Sequence, residues 1–231
     1  MTKIAVIPAR GGSKRIPGKN IKSFHGVPMV ARAIEIAKKS ELFDQIIVST
    51  DDESIAEVSR EYGASAPFIR PSRLADDYAG TAPVIAHAVS EAMKSDATIE
   101  HVCCIYPCVP LLMPQDLIRA FDIFSKSNSD FVFPVIEYSH PVQRGFTLGA
   151  GGEVNFAYPE HEMSRTQDLE PMYHDAGQFY WGKAESWLSG KKMHSDGIGM
   201  LIPSWRVVDI DNEQDWQRAE LLYSALKLEL G

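Results

Sequence analysis

Short apolar runs alternate with segments of helical periodicity along most of the chain. Lys3–Ala9 (KIAVIPA) is nearly continuous in apolar residues and ends in a glycine-rich turn. Met29, Ala33, Ile36 and Ala37 then share one face of a helical register that Pro28 opens and Lys38 and Lys39 close. A proline start and a cationic end suit a helix of this polarity. The pattern predicts a strand over 45–50, a helix over 53–62, a short strand at Phe68 and Ile69, and a helix over 84–93. A strand over 101–106, a helix over 114–125 and a strand over 130–135 continue it. Repeated strand-then-helix units predict an α/β fold, a mainly parallel Rossmann-like sheet with helices on both faces.

The alternation breaks between about Glu137 and Ala176. Phe146–Leu148 and Val154–Phe156 flank Gly149, Gly151 and Gly152, the signature of a β-hairpin. A polar stretch without periodicity follows (HEMSRTQDLEPMYHD), the usual form of a functional loop or an oligomer contact. The regular pattern returns with strands over 178–181, 198–202 and 206–210, a short helix after the first, and a final helix from about Glu213. This divides the chain into a core over 1–136, an insertion over 137–176 and a return to the core over 177–231.

Composition sets limits on partners. With 231 residues, 45% hydrophobic and 23% charged, the chain has ordinary globular composition and suits one α/β domain with an elaboration. No apolar run reaches the length of about 18 residues that a membrane helix needs. The opening MTKIAVIPARGG has too short an apolar stretch for a signal peptide, so it reads as a first strand and the protein is expected in the cytoplasm. A formal net charge of −8 argues against nucleic acid or an anionic membrane as partner. An anionic substrate then requires a local basic site. Cys103, Cys104 and Cys108 lie in one short segment and read as buried, reduced thiols of a strand.

That basic site is in the loop after the first strand. Pro8-Ala9-Arg10-Gly11-Gly12-Ser13-Lys14-Arg15-Ile16-Pro17-Gly18-Lys19-Asn20 holds two adjacent glycines, a serine and four cations. Glycines let backbone N–H groups approach an anion, and the cations neutralise its charge. Ligands of open α/β sheets bind beyond the carboxyl ends of the strands, where this loop must lie. A triphosphate fits such a loop; a solvated basic turn is the plainer alternative. The spacing matches neither GxxxxGK[ST] nor GxGxxG, which disfavours a P-loop and a nicotinamide dehydrogenase.

A second candidate is acidic. In Arg206-Val207-Val208-Asp209-Ile210-Asp211, read as the end of a strand, Asp209 and Asp211 project to one side and Ile210 to the other. Two carboxylates of one orientation at a sheet rim suit a hard cation such as Mg²⁺ that shares substrate phosphates. Asp211 with Gln214 also fits a capping box for the last helix. Ser49-Thr50-Asp51-Asp52 reads in the same way as the cap of the helix from Glu53.

The stretch Ala9-Arg10-Gly11-Gly12-Ser13-Lys14, followed by Lys19-Asn20, resembles the nucleotide-binding signature of the CMP-sialic acid synthetase (acylneuraminate cytidylyltransferase) family. The resemblance implies a nucleotidyltransferase sheet, a loop wrapped around the phosphates of CTP, and Lys19 as the principal phosphate lysine with Asn20 at the cytosine or ribose. Arg70-Pro71-Ser72-Arg73-Leu74-Ala75-Asp76-Asp77 is similar to the family's RP-x-x-LA-x-D stretch, which implies Arg70 and Thr81 near base and ribose. The family places magnesium-binding aspartates where Asp209 and Asp211 stand, so Lys19, Arg10, Asp209 and Asp211 become the candidate catalytic set. Tyr106 stands where the sialate pattern has glutamine. Arg165-Thr166-Gln167-Asp168-Leu169-Glu170-Pro171 and His174-Asp175-Ala176-Gly177-Gln178-Phe179-Tyr180-Trp181 resemble the pseudaminate-activating branch.

These matches imply a sugar pocket with Tyr106, Gln178 and Tyr180. Arg144 and Arg165 would pair with the sugar carboxylate, for which arginine supplies a bidentate fork. Either could reach in from a second subunit, since the resemblance implies a homodimer through the insertion. The reaction implied is CTP plus an acidic nine-carbon sugar giving a CMP-sugar and pyrophosphate, with pseudaminic acid ahead of sialic or legionaminic acid. Asp209-Ile210-Asp211 also satisfies the Asp-x-Asp motif of metal-dependent glycosyltransferases, a rival of another class.

Overall fold

The apolar runs become strands of one central sheet in the computed structural model, which describes residues 1–230. In chain order the elements are β1 (Thr2–Pro8), the short β2 (Ser23–Phe24) and β3 (Val27–Pro28), α1 (Met29–Lys39), β4 (Gln45–Ser49) and α2 (Glu53–Glu61). There follow α3 (Thr81–Met93), β5 (Ile99–Ile105), α4 (Pro114–Lys126), β6 (Phe131–Glu137), β7 (Phe146–Leu148) and β8 (Val154–Phe156). The chain then forms β9 (Tyr173–Asp175), β10 (Phe179–Lys183), α5 (Ala184–Leu188), β11 (Gly197–Leu201) and α6 (Glu213–Leu230).

The sheet runs β4-β1-β5-β10-β6-β11, with β9 also beside β6. β1 is parallel to β4 and β5, and β11 is parallel to β6, while β10 is antiparallel to both of its neighbours. The mainly parallel α/β expectation is met, with two reversed strands, β10 and the short β9, that the amino-acid pattern did not foresee. Burial on both faces explains the near-continuous apolar strands. Cys103 packs in one core with Ala5, Ile7 and Trp181, and its neighbour Cys104 packs on the opposite face with Ile4, Val6 and Ile85.

Three expectations need correction. Phe68 and Ile69 form no strand; two isolated bridges, Ile47 to Ser65 and Thr50 to Ile69, touch the edge of β4. Pro67 between them has no N–H to extend a ladder. Arg206–Ile210 is likewise not a strand. A 3-10 turn over Ser204–Arg206 follows β11, and the chain beyond passes toward the loop after β1 without a sheet partner. Cys108 lies beyond the end of β5, in the loop that follows it. The β7–β8 hairpin forms as predicted, with Phe146, Leu148 and Val154 more than half exposed. No helix among the described residues is long and apolar enough to cross a membrane.

Candidate active site

The loop after β1 is fixed by its own polar groups before any ligand is considered. The Ala9 N–H donates to the Ser49 carbonyl (2.9 Å), and the Gly11 N–H donates to Asp51 Oδ1 (3.0 Å). A Cβ at Gly11 would lie 2.6 Å from Asp52 Oδ2, so only glycine lets the loop approach this turn. Asp52 in turn caps α2, accepting from the N–H groups of Ser54 (2.8 Å) and Ile55 (3.3 Å). The buried Asn20 amide closes the far end of the loop by donating to the Arg10 carbonyl (2.8 Å).

A small apolar cluster joins this loop to the carboxyl-terminal segment. Ile16 and Ile210, each 1% exposed, share it with Phe24, Met29, Trp216 and Ala219. Complete burial of one such side chain contributes about 1.5–3 kcal/mol, so the two isoleucines hold their segments together firmly. Charged neighbours of each isoleucine are thereby turned the other way. Arg15 precedes Ile16, while Asp209 and Asp211 flank Ile210. Alternation along an extended chain gives the sidedness expected of the aspartates although no strand forms there.

Asp211 is not the helix cap. Asn212 Oδ1 accepts from the N–H groups of Gln214 (2.9 Å) and Asp215 (3.1 Å), and Asp215 Oδ2 accepts from those of Asp211 and Asn212. The capping box therefore falls one residue later than Asp211 and Gln214, which frees the Asp211 carboxylate. That carboxylate pairs with Arg15 (2.8 Å) and lies 4.0 Å from Lys19 Nζ, which donates to the Ile210 carbonyl (2.6 Å).

These groups line one cleft of about 600 Å³. Arg10, Lys14, Arg15 and Lys19 line it with positive charge, Asp209 and Asp211 with negative charge, and Thr81, Tyr106 and Cys108 with neutral polar groups. Asp77, to which the sequence reading gave no role, faces the cations. It pairs with Arg10 (2.8 Å) and Lys14 (2.6 Å), and these bonds hold its carboxyl below the usual range. Burial and then the charge of Asp211 push the Asp209 carboxyl up. Burial pushes the Cys108 thiol up to about 12, so it is a neutral donor, and it points to Asn20 Oδ1 at 3.4 Å.

A cytidylyltransferase family model matches residues 4–177, about three quarters of the chain. The chain belongs to the cytidylyltransferase family. This cytidylyltransferase is 42% identical over 226 residues to pseudaminic acid cytidylyltransferase of Campylobacter jejuni, covering 96% of this chain and 97% of that protein. It is 31% identical to CMP-N,N'-diacetyllegionaminic acid synthase of Legionella pneumophila, covering 96% of each. In fold it is similar to a CMP:2-keto-3-deoxy-manno-octonic acid synthetase solved with CTP, with a TM-score of 0.69, 15% identity and coverage of 98% and 100%. The family makes the chain a nucleotidyltransferase and sets aside the glycosyltransferase reading of Asp209-Ile210-Asp211.

The cytidylyltransferase brings some predicted site residues to the cleft and leaves others away from it. Arg10, Ser13, Lys14, Lys19, Asn20, Arg70, Thr81, Tyr106, Asp209 and Asp211 line it. Ala9, Gly11 and Gly12 do not line it: Ala9 is buried, the Gly11 N–H is committed to Asp51, and Gly12 is exposed with open space beside it. Arg70 is 4% exposed, and donors of its guanidinium are committed to Ser49 and to the Leu74 carbonyl. Burial lowers its pKa. Gln178 and Tyr180 lie beneath the cleft surface: Gln178 Nε2 donates to the Arg206 carbonyl (2.8 Å), and Tyr180 donates to Asp175 Oδ2 (2.6 Å). Arg144 and Arg165 lie outside the cleft of a single chain, because 3-10 turns of the insertion hold them; Arg144 donates to the Ser164 carbonyl and Arg165 pairs with Asp168. His174 and Asp175 form no side-chain pair, since His174 Nδ1 lies against the Asp175 carbonyl (3.0 Å).

Proposed function

We propose that this enzyme transfers CMP from CTP to an acidic nine-carbon sugar, pseudaminic acid, and releases pyrophosphate. The observation that carries the reading is the meeting of loop cations and carboxyl-terminal aspartates on one cleft, with Arg15 and Asp211 in contact at 2.8 Å. The choice of sugar rests on the 42% identity to the Campylobacter jejuni enzyme of that name. In the reaction the anomeric hydroxyl attacks the α-phosphorus, an oxygen–phosphorus bond forms, and the bond to the β-phosphate breaks. No enzyme nucleophile is needed, so positioning and charge neutralisation dominate. Lys19, Arg10 and Lys14 hold the triphosphate, with Ser13 and the frame of Ala9, Gly11 and Gly12 shaping its cradle. Asn20, Arg70 and Thr81 set the wall on which base and ribose rest.

Asp209 and Asp211 suit Mg²⁺ by the chemistry of their donors. Both are carboxylates on the cleft, where burial and then the charge of Asp211 raise Asp209, and a cation held by the two would offset both. Such a cation would neutralise phosphate charge in the transition state. Among the described residues no third His, Cys, Asp or Glu joins them, which leaves coordination positions for phosphate oxygens and water.

The exposed Phe146, Leu148 and Val154 of the hairpin support a homodimer through the insertion, with Arg144 or Arg165 offered to the partner's sugar. The reading includes a reaction in the cytoplasm, which the use of CTP supports. Pyrophosphate release measured with CTP and a panel of nine-carbon 2-keto acids tests the assignment. Pseudaminic acid is expected to react fastest, and ATP, GTP and UTP to give little product. Faster turnover of legionaminic or sialic acid would reassign the sugar, and no release with any member would contradict the reading.

A further inference from the structure

The segment that carries Asp209 and Asp211 belongs to no strand, so it must be held at points along its length. One hold is Ile210 in its apolar cluster. The other is Arg206, three residues before Asp209. Its guanidinium forks onto Asp116, Nη1 donating to Oδ2 (2.5 Å) and Nη2 to Oδ1 (3.1 Å). Its carbonyl accepts from Gln178 Nε2 at 2.8 Å. Both partners belong to the fixed frame. Asp116 is in the first turn of α4, where Oδ2 also accepts from the Met113 N–H (3.2 Å). Gln178 leads into β10, and its carbonyl accepts from the Tyr106 N–H (2.9 Å) just past the end of β5. Beyond Arg206 the chain is extended at Val207, which packs on the main core, and Val208 packs beside Ile210. Three residues of extended chain reach about 10 Å, so the direction set at Arg206 is carried to Asp209.

Stability does not explain these groups. Asp116 is 4% exposed and Arg206 7%. Taking two such charges out of water offsets most of their attraction, and apolar residues of similar volume would serve the fold as well. Gln178 is equally buried, and no described residue donates to its Oε1, a cost that one bond through Nε2 barely covers. What the three residues supply is direction. Two parallel N–H···O bonds fix the plane of the guanidinium, and the Gln178 bond fixes the peptide between Arg206 and Val207.

We propose that Asp116 and Gln178 position Asp209 through Arg206 and so set the affinity of Asp209 and Asp211 for magnesium. This role rests on the proposed function and deepens it. Neither Asp116 nor Gln178 lines the cleft; both are positioning residues that act through the backbone they hold.

Metal binding without turnover tests this. Mn²⁺, which takes the same oxygen ligands, is titrated into enzyme held in excess of a non-hydrolysable CTP analogue and followed by electron spin resonance. The paired substitution Asp116→Leu with Arg206→Met removes the fork and leaves no buried charge, so thermal stability should stay near the native value. Mn²⁺ affinity should nevertheless fall about tenfold, the low end of the losses seen when a metal's supporting groups are altered. Gln178→Met keeps the volume and removes one bond; stability should hold while Mn²⁺ affinity falls about fivefold. Affinity for the analogue without metal should stay within about twofold in both, since the loop cations are untouched. Native Mn²⁺ affinity in either folded variant, or a loss of analogue affinity as large as that of Mn²⁺, would overturn the proposal. Native enzyme that binds Mn²⁺ no better than Asp209→Asn does would instead overturn the metal reading on which it rests.

Discussion

Replacing Lys19 by alanine lowers turnover by roughly 10²–10³-fold at saturating CTP, the usual loss for one well-placed partner of transition-state charge. Lys19 is suited to this by position. Its ammonium is anchored on the Ile210 carbonyl at 2.6 Å, its side chain is 21% exposed, and it stands between the cationic loop and Asp211. A cation held by backbone needs little rearrangement when negative charge develops beside it. Arg10 and Lys14 differ, because Asp77 already neutralises both and a phosphate must compete for them. Pyrophosphate release under saturating substrates checks the expectation. Turnover near the native value would remove Lys19 from the catalytic set, and a rise in the KM for CTP alone would make it a binding residue.

Asp209→Asn raises the magnesium concentration for half-maximal rate by about tenfold or more, by analogy with the 10–100-fold losses seen when a metal's supporting groups are altered. The substitution keeps the shape and removes the charge. Asparagine carries no charge to be buried or to be repelled by Asp211, the two causes that push the Asp209 carboxyl up, so the variant should fold at least as well as the native chain. Loss of magnesium affinity without loss of thermal stability separates a ligand from a structural acid. An unchanged magnesium titration would exclude Asp209 from metal binding.

The sequence revealed the parts of this protein that rest on periodicity. Strands buried on both faces announce themselves as apolar runs, and amphipathic helices by their repeat, so β1, β4, β5, β6 and the helices α1, α2, α4 and α6 fall where expected. Periodicity does not report a strand's partner. Arg206–Ile210 alternates like a strand, yet it crosses beside the loop after β1, and the reversal of β10 leaves no mark in its residues.

The candidate site divides along the same line. Glycines, cations and paired aspartates could be read as phosphate and metal chemistry from their types. Their partners could not, since Lys14 and Asp77 are 63 positions apart and Arg15 and Asp211 are 196. One signal was present: Ile16 and Ile210 are apolar residues within charged segments, and such residues need a core to enter. Asp175 was visible beside His174, but the geometry of β9 and β10 turns it toward Tyr180 and His194.

The proposed function requires the amino-terminal cations and the carboxyl-terminal aspartates to grip a single nucleotide. A crystal structure of the enzyme with a non-hydrolysable CTP analogue and Mg²⁺ tests it directly. The triphosphate is expected between Lys19, Arg10 and Lys14, with a metal ion held by Asp209 and Asp211 against its phosphates. A triphosphate bound elsewhere, or a metal ion held without either aspartate, would contradict it.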